Sequence, residues 1–303
     1  MGTPESAVPS LLRLLADGHE IVAVWTQPDK PAGRGKKLHE SPVKVFALQH
    51  KLVVYQLQKI RTPEAQKLFT SHRAEVAVVV AYGRILPAQL LSAPSHGCIN
   101  VHFSLLPKYR GAAPVNWAIV NGETQSGVTT MQIVEQLDAG PILLQRETRI
   151  EPSDTAPALM SRLAAVGGEL ISETLRNLDR IEPAAQIDEN ATFAPMLKRE
   201  DGLINWSMDA FAIERRVRGF QPWPNAYTVA RSKRLIIWRA APEVSESQTI
   251  PGKVIDANKD RLAIGCGDSS ILRLVEVQPE GGRRLSARDI VNGNYLKPGD
   301  QLG

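Results

Sequence analysis

A chain of 303 residues that is 43% hydrophobic can bury a sizeable core and exceeds the commonest single-domain length, so two domains are expected. No apolar run approaches the roughly 20 residues that cross a bilayer, and the first residues lack a basic-then-apolar leader, so a cytoplasmic protein with no membrane partner is expected. The two cysteines, Cys98 and Cys266, are far apart and outside any Cys/His cluster, which excludes a disulfide framework and a zinc site; a net charge of +4 favours an anionic partner without naming it.

The sequence opens with Met1-Gly2-Thr3-Pro4, which reads as the turn after a buried strand, so the first strand of a doubly wound domain is expected to be missing from it. Thr3-Pro4-Glu5, Ser41-Pro42 and Thr62-Pro63-Glu64 each place a hydroxyl before a first-turn proline, the order that starts a helix. Between them, apolar β-rich runs at Ile21–Trp25, Val53–Tyr55, Val76–Ala81, Cys98–His102 and Val128–Ile133 alternate with helical patterns, which gives an α/β class. The run Val76–Ala81 is apolar throughout and suits a strand buried on both faces. From Asp154 to Leu178 leucines and valines recur at helical spacing, predicting a long amphipathic helix that closes the first domain.

Pro183 and the polar residues up to Asn190 read as a linker, and Asn205-Trp206 opens a different composition. There, Ile236–Trp238, Lys253–Ile255, Leu262–Cys266 and Ile271–Val277 are short β-rich runs separated by turn residues, and a small β-barrel is the economical reading. The expected boundaries are a catalytic domain over 1–182, a linker over 183–200 and a barrel domain over 201–303.

In Cys98–His102 polar and apolar residues alternate, so on a strand Asn100 and His102 project from one face, with Ser104 continuing the row. The carboxyl end of a strand is where an open α/β sheet holds its ligand. On these residues alone two readings stand: satisfied polar groups at a strand end, or a site. Asp138, followed by Ala139-Gly140, lies in a turn that could aim a carboxylate at a neighbouring loop, and its alternative role is an Asx turn. Together the three types suit attack of an amine on an acyl donor, in which negative charge builds on the carbonyl oxygen. Asn100 and His102 can donate hydrogen bonds to that oxygen, and Asp138 would orient His102 and accept the proton lost by the amine. The amine attacks directly, and no G-x-S-x-G elbow supplies a serine nucleophile.

The run Asn100-Val-His-Phe-Ser-Leu-Leu-Pro-Lys-Tyr-Arg-Gly-Ala-Ala-Pro-Val-Asn-Trp117, followed by Leu137-Asp-Ala-Gly140, resembles the folate-dependent formyltransferases. The resemblance implies a Rossmann-like formyltransferase domain, 10-formyltetrahydrofolate as formyl donor, and an Asn, a His and an Asp at the positions of Asn100, His102 and Asp138. It places the folate against the turn Ser104-Leu105-Leu106-Pro107, while Phe103 stands where many relatives carry a small residue. Thr26–Lys37 and Gln221-Pro-Trp-Pro224 are similar to the branch of that family whose acceptor is the methionine carried by initiator tRNA, in which the second domain is an OB-like barrel that helps hold the tRNA.

Pro28–Pro42 combines prolines and glycines with Lys30, Arg34, Lys36 and Lys37 and reads as an exposed basic loop. Solvated surface is its ordinary meaning; the resemblance implies that it enters the tRNA acceptor region, with Arg34, Lys36 and Lys37 as tRNA-binding residues. Arg215, Arg216, Arg218, Arg283 and Arg284 are expected to extend a basic surface, with Trp223 in the core. A monomer without a metal is expected. Three other functions compete with this one: a formyltransferase for a small amine, which would not need the basic insertion and the barrel together; a noncatalytic RNA-binding module, which leaves the three polar residues idle; and a nucleotide-dependent oxidoreductase, for which Gly33-Arg-Gly35 lacks a third glycine.

Overall fold

The computed structural model describes residues 1–32 and 37–303 and divides into two compact units. The first comprises Met1–Pro114, Gln125–Arg149 and Met160–Ala194, the second Val115–Thr124, Ile150–Leu159 and Pro195–Gly303.

In chain order the elements begin with α1 (Val8–Ala16), β1 (Val24–Trp25), β2 (Lys30–Ala32), β3 (Lys37–His39), α2 (Pro42–Gln49), β4 (Val54–Tyr55), α3 (Pro63–Ser71), β5 (Ala77–Val79), α4 (Ala88–Leu91), β6 (Cys98–His102) and β7 (Arg110–Gly111). They continue with α5 (Pro114–Val120), β8 (Gln125–Gln132), β9 (Ile142–Arg149), α6 (Ala156–Arg176) and β10 (Phe193–Ala194). The Ser41 and Thr62 side chains accept from the backbone N–H groups of Lys44 and Ala65 at 3.2 and 3.3 Å, so two of the three expected caps form. Thr3 does not cap. Its hydroxyl donates to the Tyr82 carbonyl and accepts from the Gln27 N–H, and the helix begins after it with a single 3₁₀ turn, Glu5–Ala7. The tertiary partners outcompete the local one.

The first unit has the expected alternation and is a Rossmann-like α/β fold. β1 pairs parallel with β4, and β5, β6, β8 and β9 form a sheet in that order, with β5–β6 parallel and the rest antiparallel. Met1 and Gly2 bridge the two sheets: the Val80 N–H donates to the Met1 carbonyl at 2.9 Å and the Gly2 N–H to the Trp25 carbonyl at 3.0 Å. Beside them lies a cavity of about 390 Å³ lined by Leu14, Val22, Val24, Val76, Val78 and Leu175 among others. β9 carries no apolar alternation to betray it, because at the sheet edge its Gln145, Arg146 and Glu147 are exposed. α6 buries Leu159, Leu163, Leu170 and Ile171 completely, as its spacing predicts.

The basic stretch is not simply a loop. β2 and β3 pair antiparallel within it, Lys30 opposite His39 and Ala32 opposite Lys37, because the extended Lys-Pro-Ala and Lys-Leu-His segments satisfy each other's backbone groups. Lys37 opens β3; Arg34 and Lys36 lie outside the described residues.

The second unit adds α7 (Ala210–Gly219), β11 (Tyr227–Ala230), β12 (Lys233–Val244), β13 (Val254–Asn258), β14 (Arg261–Gly265), β15 (Ser270–Pro279), β16 (Leu285–Ser286) and α8 (Ala287–Asn292). Its sheet runs β11-β12-β15-β14-β13, with β16 on β15, and among the described residues no strand pairing joins β11 to β13. Ile213, Val217, Ile237, Leu262, Leu272 and Ile290 fill its core. Two expectations fail here. Trp223 is 53% exposed, not core. Arg215, Arg216 and Arg218 are half-buried: Arg218 pairs with Glu214 at 2.6 Å and donates to the Asp154 carbonyl, while Arg216 lies over the Phe220 ring, so two of the three charges are spent within the unit. Arg283 and Arg284 are exposed as expected, with Arg284 stacked 3.4 Å above the centroid of Trp238.

Candidate active site

β6 ends in the first unit with Asn100 opposite Met131 and His102 opposite Thr129 of β8. The alternation holds: Ile99 and Val101 are fully buried, Asn100 is half-buried, and His102 is 6% exposed. Among the described residues nothing hydrogen-bonds the Asn100 amide, so its N–H groups are available to a ligand. Phe103 points to the other side of the strand. It is 5% exposed beside Gly167 of α6 and so belongs to the core rather than the site.

His102 Nε2 lies 2.9 Å from the Tyr109 carbonyl oxygen. A carbonyl only accepts, so Nε2 carries a hydrogen, and in the neutral ring it is the bare Nδ1 that faces Asp138. Nδ1 and Asp138 Oδ2 are 3.8 Å apart, longer than a hydrogen bond. Asp138 Oδ2 instead accepts from the Gly111 N–H at 2.8 Å, and among the described residues Oδ1 has no donor. The structure thus brings the three sequence-derived residues together around a histidine held by a backbone carbonyl.

The turn that carries Asp138 works differently from its expected form. The left-handed residue is Asp138 itself, with φ of +49°. Gly140 is required for space, since a Cβ there would fall 1.8 Å from the Gln132 carbonyl oxygen.

The residues after β6 form a rigid turn. Thr129 Oγ1 donates to the Ser104 carbonyl at 2.6 Å and accepts from the Leu106 N–H at 3.1 Å, and Gln145 Nε2 donates to the Leu106 carbonyl at 2.9 Å. Ser104 Oγ donates to the Lys108 carbonyl, and the Leu106–Pro107 peptide is cis. Ser104 and Leu106 are buried, leaving the half-buried Leu105 and Pro107 side chains as the accessible part of the turn.

Several residues that frame the site carry no signal in the sequence. Tyr109 and Gly111 act through backbone groups, which no side-chain pattern reveals. Thr129 and Gln145 act from the antiparallel strands β8 and β9, and Thr192 accepts from the Tyr109 N–H at 2.9 Å. Neither Cys98 nor Cys266 supplies a nucleophile: both are buried, and burial pushes their thiols up to about 11 and about 12. Among the described residues no group of three or more His, Cys, Asp or Glu side chains could hold a metal ion.

A Rossmann-like unit with a free amide, a histidine and a carboxylate at a strand's carboxyl end, followed by a separate sheet unit, has the layout of a group-transfer enzyme. The sequence profile described as formyl transferase matches residues 1–175, and that of the formyl transferase C-terminal domain matches residues 196–295. The chain belongs to the formyl transferase family. Among similar proteins, the methionyl-tRNA formyltransferase of Geobacter metallireducens is 47% identical, covering 100% of this chain and 97% of that protein. That of Caldanaerobacter subterraneus subsp. tengcongensis is 46% identical, covering 100% of this chain and 98% of that protein. Among solved structures, the N-formyltransferase of Helicobacter canadensis in complex with folinic acid and dTDP-3-aminofucose has the same fold, with a TM-score of 0.67 at 19% identity over 90% of this chain and 96% of that one.

Proposed function

We propose that this chain transfers the formyl group of 10-formyltetrahydrofolate to the α-amino group of methionine on initiator tRNA, giving N-formylmethionyl-tRNA. The observation that carries the chemistry is the unpaired Asn100 amide on the same strand face as His102, whose Nδ1 faces Asp138 at 3.8 Å. The acceptor follows from relatives that share a name and 43–47% identity over the length of the chain.

Bound folate supplies a formyl group on a nitrogen that can leave. Leu105 and Pro107 would touch its flat ring, on a turn whose backbone is already fixed by Thr129 and Gln145, so binding costs little ordering. The amine attacks the formyl carbon; the new C–N bond forms as the bond to the folate nitrogen breaks, the amine loses one proton and the leaving nitrogen gains one. Asn100 donates to the oxygen on which charge builds. His102, whose Nε2 hydrogen is held by the Tyr109 carbonyl, acts through Nδ1, which accepts a proton and then donates it or a second hydrogen bond to the reacting group. The Asp138 carboxylate, with Oδ1 free of donors among the described residues, takes the proton from the amine.

The basic segment from Lys30 to Lys37, whose described parts belong to β2 and β3, enters the tRNA acceptor region with Arg34, Lys36 and Lys37 as its contacts, and arginine's planar fork suits base or phosphate. The second unit's sheet, with a register shift between Ile237 and Arg239 in its longest strand, is read as OB-like, and its exposed Arg283, Arg284 and Trp223 face the RNA. One chain carries every group of the site and acts as a monomer in the cytoplasm. No helix among the described residues is long and apolar enough to cross a membrane.

The test compares three acceptors with 10-formyltetrahydrofolate as donor. Methionyl initiator tRNA is expected to react fastest, methionyl elongator tRNA and a small amine far more slowly. Equal rates for all three would reject the tRNA-specific reading.

A further inference from the structure

The polar stretch after α6 reads in the sequence as a linker, yet as far as Ala194 it is bound to the first unit and contacts the residues that carry the site. Ala184 exchanges two backbone hydrogen bonds of 2.8 Å with Ile142, and β10 pairs parallel with β7. Gln186, between these anchors, reaches the turn that carries Asp138. Its Nε2 donates to the Asp138 carbonyl at 2.9 Å and to the Gly140 carbonyl at 2.7 Å, and its Oε1 accepts from Arg110 Nε at 3.0 Å. Arg110 is 2% exposed and donates from Nη2 to Asp188 at 2.8 Å.

A primary amide has two N–H groups and one oxygen; here the two carbonyls take the N–H groups, with Met131 Sδ a weaker acceptor at 3.8 Å from Nε2, and Arg110 takes the oxygen. Arg110 can only donate and the two carbonyls can only accept, so the amide's orientation is fixed from both sides. The turn it grips needs such a hold, because Asp138 has the left-handed backbone that a residue other than glycine keeps only where its surroundings determine it. Gly111, the residue after Arg110, binds the Asp138 carboxylate. The Arg110–Gly111 pair therefore fixes both ends of Asp138: the carboxylate directly, the backbone through Gln186.

We propose that Gln186 is a positioning residue of the formyl-transfer reaction, setting the backbone of Asp138 so that its carboxylate meets His102 and the incoming amine. This rests on the reading of Asp138 as the group that takes the amine's proton. Residues 184–194 are thereby part of the catalytic apparatus rather than a passive connection. A misplacement of the order of 1 Å at a reacting group slows transfer about a hundredfold, so loosening this turn reaches the rate without removing any reacting atom.

Gln186→Glu separates the two halves of the contact: a carboxylate keeps the Arg110 partner and loses the donors to the two carbonyls. Single-turnover transfer from saturating 10-formyltetrahydrofolate to methionyl initiator tRNA is expected to slow about tenfold to a hundredfold, with the concentrations of donor and tRNA needed for half-maximal rate unchanged. Gln186→Met, close in volume and without donors, should show the same loss and serves if Gln186→Glu does not fold. In an Asp138→Asn background, Gln186→Glu should add no further loss, because the group it positions is already gone. Rates within twofold of wild type for both Gln186 variants, or an equal loss with and without Asp138, would overturn the inference while leaving the role of Asp138 intact. Wild-type transfer by Asp138→Asn alone would instead reject the reading on which it rests.

Discussion

Asn100→Ala is expected to lower the rate of formyl transfer by about two to three orders of magnitude, the usual cost of losing one preorganised donor to a developing oxyanion. The size of the effect follows from the position. The Asn100 amide is half-buried on a strand fixed by β5 on one side and β8 on the other, and nothing among the described residues competes for its hydrogens. Its donors therefore meet the oxygen without reorganising. Truncation to alanine removes them while leaving the backbone pairing of Asn100 with Met131 in place, so thermal stability should change little. The check is single-turnover transfer to methionyl initiator tRNA beside a melting curve. A rate within a few-fold of wild type in a stable variant would mean that the oxyanion is held elsewhere.

Asp138→Asn should cost a comparable two to four orders of magnitude, by a different route. The variant is close in volume, and its side-chain oxygen can still accept from the Gly111 N–H. What it lacks is the carboxylate: the group opposite His102 Nδ1 can no longer take a proton or balance a positive ring. Asparagine also adopts the left-handed backbone readily, so the φ of +49° should survive. The loss should thus appear in the rate of the chemical step and not in the concentration of donor or tRNA required. A drop confined to those concentrations would make Asp138 a binding group.

How much of this site the sequence discloses depends on which atoms do the work. Asn100, His102 and Asp138 act through side chains, and the two-residue period of β6 by itself puts the first two on one face. Their partners act largely through backbone: the Tyr109 carbonyl orients His102 and the Gly111 N–H binds Asp138, and every residue has those groups. Local sequence ascribes the shape of the turn at Asp138 to the freedom of Gly140. In the fold the glycine answers to crowding by the Gln132 carbonyl at the end of β8, a contact made only when the β8–β9 connection closes on itself. The linker shows the same limit. Its polar composition predicts a connection, and Gln186 and Thr192 gain their roles only because β7 and the Asp138 turn are brought beside them.

The fold is legible where burial is regular. α6 announces itself by its leucines, and β5 by an unbroken apolar run, although the expected burial on both faces fails: Val76 and Val78 are half-buried along the cavity and Ala81 is exposed. β9 does not, because an exposed edge strand needs no apolar face. The α7 arginines mislead for the converse reason: charge in a sequence reads as surface, whereas Arg218 spends its donors on Glu214 and the Asp154 carbonyl.

The most direct measurement is single-turnover formylation of methionyl initiator tRNA by His102→Ala at saturating 10-formyltetrahydrofolate, with tRNA binding measured on the same preparation. Transfer slower on the order of a hundredfold or more, at unchanged tRNA affinity, is the predicted result. Transfer at the wild-type rate would contradict the assignment of the chemistry to the end of β6.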